Sequence, residues 1–477
     1  MVPTPFVSYA VVEYGCEAGI MITASHNLKE DNGYKVYWSN GAQILSPHDS
    51  AICRCAQENF EPWEGSFDTD WLKTPPRPDL LKDCWEEVHR RYMEDSVKFC
   101  LYKNLNQKCP LKFTYTPFHG VGQMYTPELL DHFGFSPENI VSVPEQKDPD
   151  PDFTTVPWPN PEEGADVLRW AFAAADGAGS SVVLANDPDA DRLEVAEKQP
   201  DDDSWRVFSG NEMGGLLAWW LWHGWTVKNP GKSGKDVYFL NSAVSSKIVQ
   251  SMAEVEGFKY EETLTGFKWM GNRAEELKSQ GKTVLLTWEE SIGYMAGKTL
   301  DKDGVTAAAM FAECASFLQN QGSNLAGQLS AIYQKYGYHL NSCSYFLCYE
   351  PEKTKKIFSR IRNFAGKNSY PQQLGIYAVK FIRDLTTGFD NSQPDNKPIL
   401  PVSSSEMITF TLDNGSVVTL RTSGTEPKIK YYIELKTEPG KNPEDLPQIQ
   451  ADLKDLETSI ISDLLQPKEN GLISRHS

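Results

Sequence analysis

The chain has 477 residues, enough for about three domains at ~150 residues each, and its 40% hydrophobic and 12% aromatic content excludes global disorder. Lys and Arg total 46 against 65 Asp and Glu, a net charge of −19. That balance excludes nucleic acid and anionic membrane as natural partners, but leaves a small phosphorylated ligand open if a local Lys/Arg cluster can be found. The nine cysteines include no C-x-x-C pair, so free thiols and a reducing, cytoplasmic setting are expected. The most apolar run, Gly214–Trp222, is far short of the ~20 residues that a membrane span requires, and no secretory signal is visible.

In chain order, Met1–Phe6 is a proline-broken turn that enters a helical pattern and a strand at once, and reads as the middle of a domain. The first strand, Gly19–Thr23, runs into Ala24-Ser25-His26-Asn27. A serine placed there lies outside the carboxyl edge of a sheet, where α/β proteins hold reacting groups; without a nucleophile elbow it does not suit a Ser-His-Asp hydrolase. A second strand is expected at Lys112–Tyr115 and a helix at Pro161–Ala174. Asp148, Asp150 and Asp152 alternate with prolines in an extended, solvated segment and are read as surface. The strand Ser181–Ala185 is different, because it delivers Asp187, Asp189 and Asp191, followed by Arg192. Three carboxylates after a buried strand are costly unless a hard cation neutralises them, and all-oxygen ligands favour Mg²⁺.

Helices are then expected at Asn211–His223 and Ser245–Gly257, with a strand at Val237–Leu240; the Trp-rich stretch from Trp219 to Trp225 is read as helix core. The strand Thr283–Thr287 leads into Glu289-Glu290-Ser291, suited either to adjacent sugar hydroxyls or to a helix cap. A helix at Thr306–Gln319 follows Asp301-Lys302-Asp303-Gly304, whose turn chemistry suits an N-terminus. Last, the strand Val417–Leu420 enters Arg421-Thr422-Ser423-Gly424-Thr425-Glu426-Pro427-Lys428. Cations, hydroxyls and a glycine in one turn can cradle a phosphate, which supplies the positive cluster the composition demands.

These four segments in this order resemble the α-D-phosphohexomutase family, in which a phosphoserine loop, a metal loop, a sugar loop and a phosphate loop come from successive domains. Asp31–Lys35, Thr116–Gly122, Ser209–Glu212 and Leu264–Lys268 match as well. The resemblance implies an α/β fold: three similar α/β domains, the first incomplete, and a C-terminal α+β domain around a central cleft. The divisions expected are 1–105, 106–230, 231–338 and 339–477. Family members carry a substantial segment before the serine loop; here that loop begins at Thr23, so the first domain is expected to be shortened.

The resemblance further implies that Ser25 is the phosphorylated serine. With it, Asp187, Asp189 and Asp191 hold one Mg²⁺ per chain. His26, Lys35 and Arg192 serve charge stabilisation or proton transfer. Thr265, Gly266, Lys268, Glu289 and Ser291 face the sugar, and Arg421, Ser423, Gly424, Thr425 and Lys428 grip the distal phosphate. The partners implied are small phosphorylated sugars, with a sugar bisphosphate as activator and intermediate, and no oligomer is implied. The chain is similar to the phosphoglucomutase-2 branch, which holds both mutases of glucose and pentose phosphates and a glucose 1,6-bisphosphate synthase that uses 1,3-bisphosphoglycerate. The mutase is the reading taken; the synthase, and an inactive sugar-phosphate-binding fragment, stand as alternatives.

Overall fold

The computed structural model describes residues 1–73, 77–423 and 426–474. The chain forms two compact units: one of Met1–Gly231, Val237–Leu240 and Gly266–Leu325, the other of Lys232–Asp236, Asn241–Thr265 and Ala326–Ser477.

The first unit opens with the helix Thr4–Tyr14, closed by Gly15 in the left-handed region, and a hairpin of Ala18–Ile22 with Tyr34–Trp38. The turn of this hairpin carries Ser25. Next comes a five-stranded sheet in the order Ile140–Ser142, Phe113–Thr116, Val182–Ala185, Glu194–Lys198 and Trp205–Val207, the first three parallel and the last two antiparallel. Every residue of Phe113–Thr116 and Val182–Ala185 is buried. Strands covered on both faces read as continuous apolar runs, which is why Ser181–Ala185 stands out in the sequence. Helix Arg169–Ala178 seats Ala171 and Ala175 against Val183, Ala185 and Ala196 in a core with Phe118 and Leu168.

The helix expected at Pro161–Ala174 is two pieces. Pro161–Asp166 is a 3₁₀ turn broken at Gly164 (φ 79°, ψ −147°), and the α-helix begins only at Arg169. Glycine there takes a backbone conformation that other residues rarely adopt, so apolar spacing on either side runs through a break. Helix Gly210–Lys228 starts at a capping box of Ser209 and Glu212 and buries Trp220 and Trp222. A second hairpin pairs Thr283–Glu289 with Gly293–Met295. Helix Gly304–Asn320 is capped by Asp303, whose side chain accepts from the Thr306 N–H, and is buried along nearly its whole length.

The second unit contains helix Ile248–Glu256, strand Lys259–Thr263 and an antiparallel sheet. Its strand order is Gln373–Leu374, Tyr377–Asp384, Met407–Leu412, Val417–Thr422, Lys428–Lys436, His339–Leu347 and Ile473–Ser474. Helix Ile248–Glu256 starts later than the expected Ser245, because the Ser246 hydroxyl accepts from the Ile248 N–H and the Asn241 amide holds the Ser246 carbonyl. Among the described residues no helix is long and apolar enough to cross a membrane.

Candidate active site

The loop after Val182–Ala185 is fixed before its carboxylates are placed. Asn186 is fully buried; its Oδ1 accepts from the hydroxyls of Tyr115 (2.9 Å) and Thr126 (3.0 Å), and its amide donates to the Arg192 carbonyl at 2.6 Å. Glycines let two backbones close on the loop. A Cβ on Gly120 would stand 2.2 Å from the Pro188 oxygen, and one on Gly304 would stand 2.2 Å from the Arg192 oxygen. Thus held, Asp187, Asp189 and Asp191 are buried, with one carboxylate oxygen of each within 4.8 Å of the others.

The triad is electrically uneven. Asp189 Oδ2 accepts from Thr4 Oγ1 (2.6 Å), Thr23 Oγ1 (3.1 Å) and Lys35 Nζ (2.8 Å). Asp191 Oδ2 takes Lys35 Nζ at 2.5 Å and Lys302 Nζ at 3.1 Å, whereas its buried Oδ1 has no hydrogen-bond partner. Burial opposes the charge on Asp191, but Lys302, Lys35 and Arg192 outweigh it and hold its carboxyl below the usual range. Asp187 has no lysine beside it; burial, then Asp189 and Asp191, outweigh Arg192, whose backbone N–H it accepts at 2.9 Å, and push its carboxyl well above that range. A buried acidic triad with one orphaned oxygen and one carboxyl driven toward protonation fits an oxygen-preferring divalent cation, whose charge removes both penalties.

Ser25 stands at this triad. Its Oγ lies 3.2 Å from Asp187 Oδ2, 3.4 Å from Asp189 Oδ1 and 3.3 Å from His26 Nδ1. The residue sits in the left-handed region at φ 55°, and its N–H donates to Thr23 Oγ1 at 2.8 Å. A non-glycine residue pays strain to stay there, a feature that concentrates at functional sites. Burial, then Arg192, lowers His26 to about 3, so its ring is neutral. For Lys35 burial works against the charge, but Asp189, Asp191 and Asp301 prevail and raise it above the ordinary lysine value.

Arg192 extends the site toward the second hairpin. Its guanidinium pairs with Glu162 and donates to the Ser291 carbonyl at 3.3 Å, while Nε, without a hydrogen-bond partner, lies 3.9 Å from Asp191 Oδ1. The backbone of Arg192 bridges Gly293, and the Leu193 N–H donates to the Ile292 carbonyl at 3.1 Å. In that turn Glu289 is buried and accepts from the Gly266 N–H, with Ser291 Oγ 3.5 Å from its Oε2. Burial, then Glu290, raises its carboxyl to about 7. Gly266 (φ 113°) begins helix Phe267–Ser279, which carries Lys268 in its first turn. Thr265, just before it, belongs to the second unit and has a buried hydroxyl without a partner.

The remaining expected residues lie in the second unit. Arg421, the penultimate residue of Val417–Thr422, has its guanidinium 6.0 Å from the Tyr432 ring centre and a buried Nε without a hydrogen-bond partner. The Ser423 N–H donates to the Lys428 carbonyl (2.9 Å), and Lys428 pairs with Glu426 at 2.6 Å beside the Tyr345 ring. Gly424 and Thr425 lie outside the described residues.

Sequence reasoning missed Thr4 and Lys302. Lys302 sits in a segment legible only as a helix start; Asp303 is that cap, but Lys302 turns to the triad and Asp301 accepts from Tyr37 (2.6 Å) and Gln43 (2.8 Å). The polarity of Asp301-Lys302 before a helix that needs only one cap was the available signal. Thr4 offers none, standing 185 residues from Asp189 in sequence.

A mixed α/β unit with an acidic triad beside a strained serine, and a second unit with a β-rich sheet, define the architecture of the phosphohexomutases. The chain belongs to the phosphoglucomutase/phosphomannomutase family: models of its alpha/beta/alpha domains I, II and III match residues 1–62, 90–200 and 209–336. The chain is 53% identical over 473 residues to the phosphopentomutase of Homo sapiens, covering 98% of this chain and 76% of that protein. It is 52% identical over 478 residues to the glucose 1,6-bisphosphate synthase of the same species, covering 99% and 75%. Among solved structures, the open form of parafusin, a phosphoglucomutase from Paramecium, matches with a TM-score of 0.66 at 19% identity, over 96% of this chain and 81% of that one; it shares the fold. The resemblance in the four motifs thus extends over nearly the whole chain, and the relatives' names carry the expected reaction class.

Proposed function

We propose that this protein is a phosphosugar mutase that moves a phosphoryl group between C1 and the terminal hydroxyl of glucose or pentose phosphates. The carrying observation is Ser25 Oγ, strained into place within 3.4 Å of two carboxylates of a buried triad. In this reading Asp187, Asp189 and Asp191 hold Mg²⁺ with an oxygen of phosphorylated Ser25, and the ion neutralises phosphoryl charge. A sugar hydroxyl attacks the phosphorus; the new P–O bond forms as the P–Oγ bond breaks, and the hydroxyl proton leaves while Ser25 Oγ regains one. The resulting bisphosphate turns over and returns its other phosphate to Ser25.

Lys35, held charged, stabilises the transferring group, and neutral His26 orients Oγ. Arg192, beside the metal loop, acts with Lys35 in charge stabilisation, and Lys268, Glu289 and Ser291, with Thr265 and Gly266, contact the sugar. Arg421, Ser423 and Lys428, with Gly424 and Thr425, take the distal phosphate. The division into four domains is part of this reading.

The test is conversion of glucose and ribose 1-phosphates with Mg²⁺ and a trace of bisphosphate. Ser25→Ala abolishes turnover and phosphate incorporation; retained transfer would overturn the assignment. The near-equal identity to the synthase favours one second reading. Supplying 1,3-bisphosphoglycerate with glucose 1-phosphate decides it, since bisphosphate formation exceeding isomerisation means a synthase. No turnover in any of these assays, with folding intact, means a binding fragment.

A further inference from the structure

A cavity of about 350 Å³ lies in the first unit, and none of the residues given a role above lines it. Its volume is in the range of small-molecule sites, roughly 300–1,000 Å³. Its walls are aromatic, built from Tyr92, Phe99, Trp220 and Trp225. Three exposed lysines, Lys98, Lys228 and Lys298, also line it. Two of them share Asp95, Lys98 at 2.5 Å and Lys298 at 2.8 Å, and Lys298 also pairs with Glu13 at 3.1 Å. The exposed Lys228 donates to the Lys98 carbonyl at 2.9 Å and has no carboxylate partner among the described residues. The other lining acid, Asp303, is buried and already accepts from Tyr92 (2.6 Å) and Thr306 (2.9 Å). The pocket is thus mainly apolar, and of its three lysines Lys228 alone has no carboxylate partner among the described residues.

We propose that this cavity is a second ligand site, for a small planar aromatic anion, its rings against the four aromatic walls and its acidic group beside Lys228. Flat aromatic walls favour a ring system over an alkyl chain, through burial and edge or offset stacking. The Lys228 ammonium at the rim favours an anionic group over a neutral one, since a charge-assisted hydrogen bond outweighs one to a neutral group. The site also shares a chain segment with the triad: Lys302 turns to Asp191, and the next residue, Asp303, faces the cavity. The inference does not depend on the reaction proposed above, because its test reads binding.

The test titrates the full chain with the fluorescent anion anilinonaphthalene sulfonate, with displacement by naphthalene sulfonate and by neutral naphthol. The expected result is one dye per chain, displaced at least about tenfold better by the sulfonate than by naphthol. Lys228→Glu, at the exposed rim, weakens binding about tenfold or more and leaves the melting transition in place. Ala296→Leu, which fills the cavity, abolishes it; should that variant not fold, Lys228→Glu decides alone. Dye binding at several weak sites, binding unchanged in Lys228→Glu, or equal displacement by naphthol overturns the proposal.

Discussion

Lys35 spans two carboxylates, at 2.8 Å from Asp189 and 2.5 Å from Asp191, and is itself largely buried. Removing one partner from such a group leaves charge without compensation and costs about 3–5 kcal/mol. Lys35→Met should therefore lower the urea midpoint of the metal-free chain, and Mg²⁺ should restore much of the loss. A midpoint equal to the parent's in the absence of metal would show that the lysine balances nothing. Glu289 gives a pH signature. Its carboxyl lies near 7 when folded, against about 4.3 in an unfolded chain. The folded state then holds the extra proton, so this contribution to stability is complete below about pH 4.3 and is lost as pH rises through 7, by up to about 4 kcal/mol. In Glu289→Gln that downward slope disappears from thermal melts recorded between pH 5 and 8. Ser25 and the three aspartates were legible in sequence because each motif is contiguous and follows an apolar strand. Lys302 and Thr4 were not, because their partners are set by tertiary packing.

Elements buried on both faces announce themselves, as Val182–Ala185 and Gly304–Asn320 do. Sheet strands with one polar face do not. In Lys428–Lys436 buried and partly buried residues alternate, with Lys430 and Tyr432 between Ile429, Tyr431 and Ile433. Local apolarity therefore finds Val417–Thr422 and misses its neighbour Lys428–Lys436 and, farther out in the sheet, His339–Leu347 and Tyr377–Asp384. Loop contacts at Gly120 and Gly304 are equally silent in sequence. There a methyl group meets backbone rather than a flexible side chain, and such overpacking costs about 1–3 kcal/mol. Gly120→Ala and Gly304→Ala should each lower the melting temperature, and each should weaken Mg²⁺ binding by displacing the aspartate loop. Calorimetry of metal binding checks the second effect separately from the first.

At the scale of the molecule each unit has its own buried ionic centre. In the second unit Glu262 lies 2.8 Å from Lys247 and 2.9 Å from Arg383. Burial opposes its charge, but the two cations hold its carboxyl down at about 2. That depressed value contributes stability above about pH 4.3, lost as pH falls toward 2, by up to about 3 kcal/mol. Acid unfolding followed by hydrogen exchange should show protection in Lys259–Thr263 and Tyr377–Asp384 failing in that window, and Glu262→Gln should remove the dependence. The acidic triad has a different consequence, for kinetics. Its supports are remote in sequence: 185 residues separate Thr4 from Asp189, and 264 separate Tyr37 from Asp301. Contacts that far apart close large loops and form slowly. During refolding the helices and hairpins should return first, and Mg²⁺ affinity last, so that the ion reports completion of the first unit rather than nucleating it.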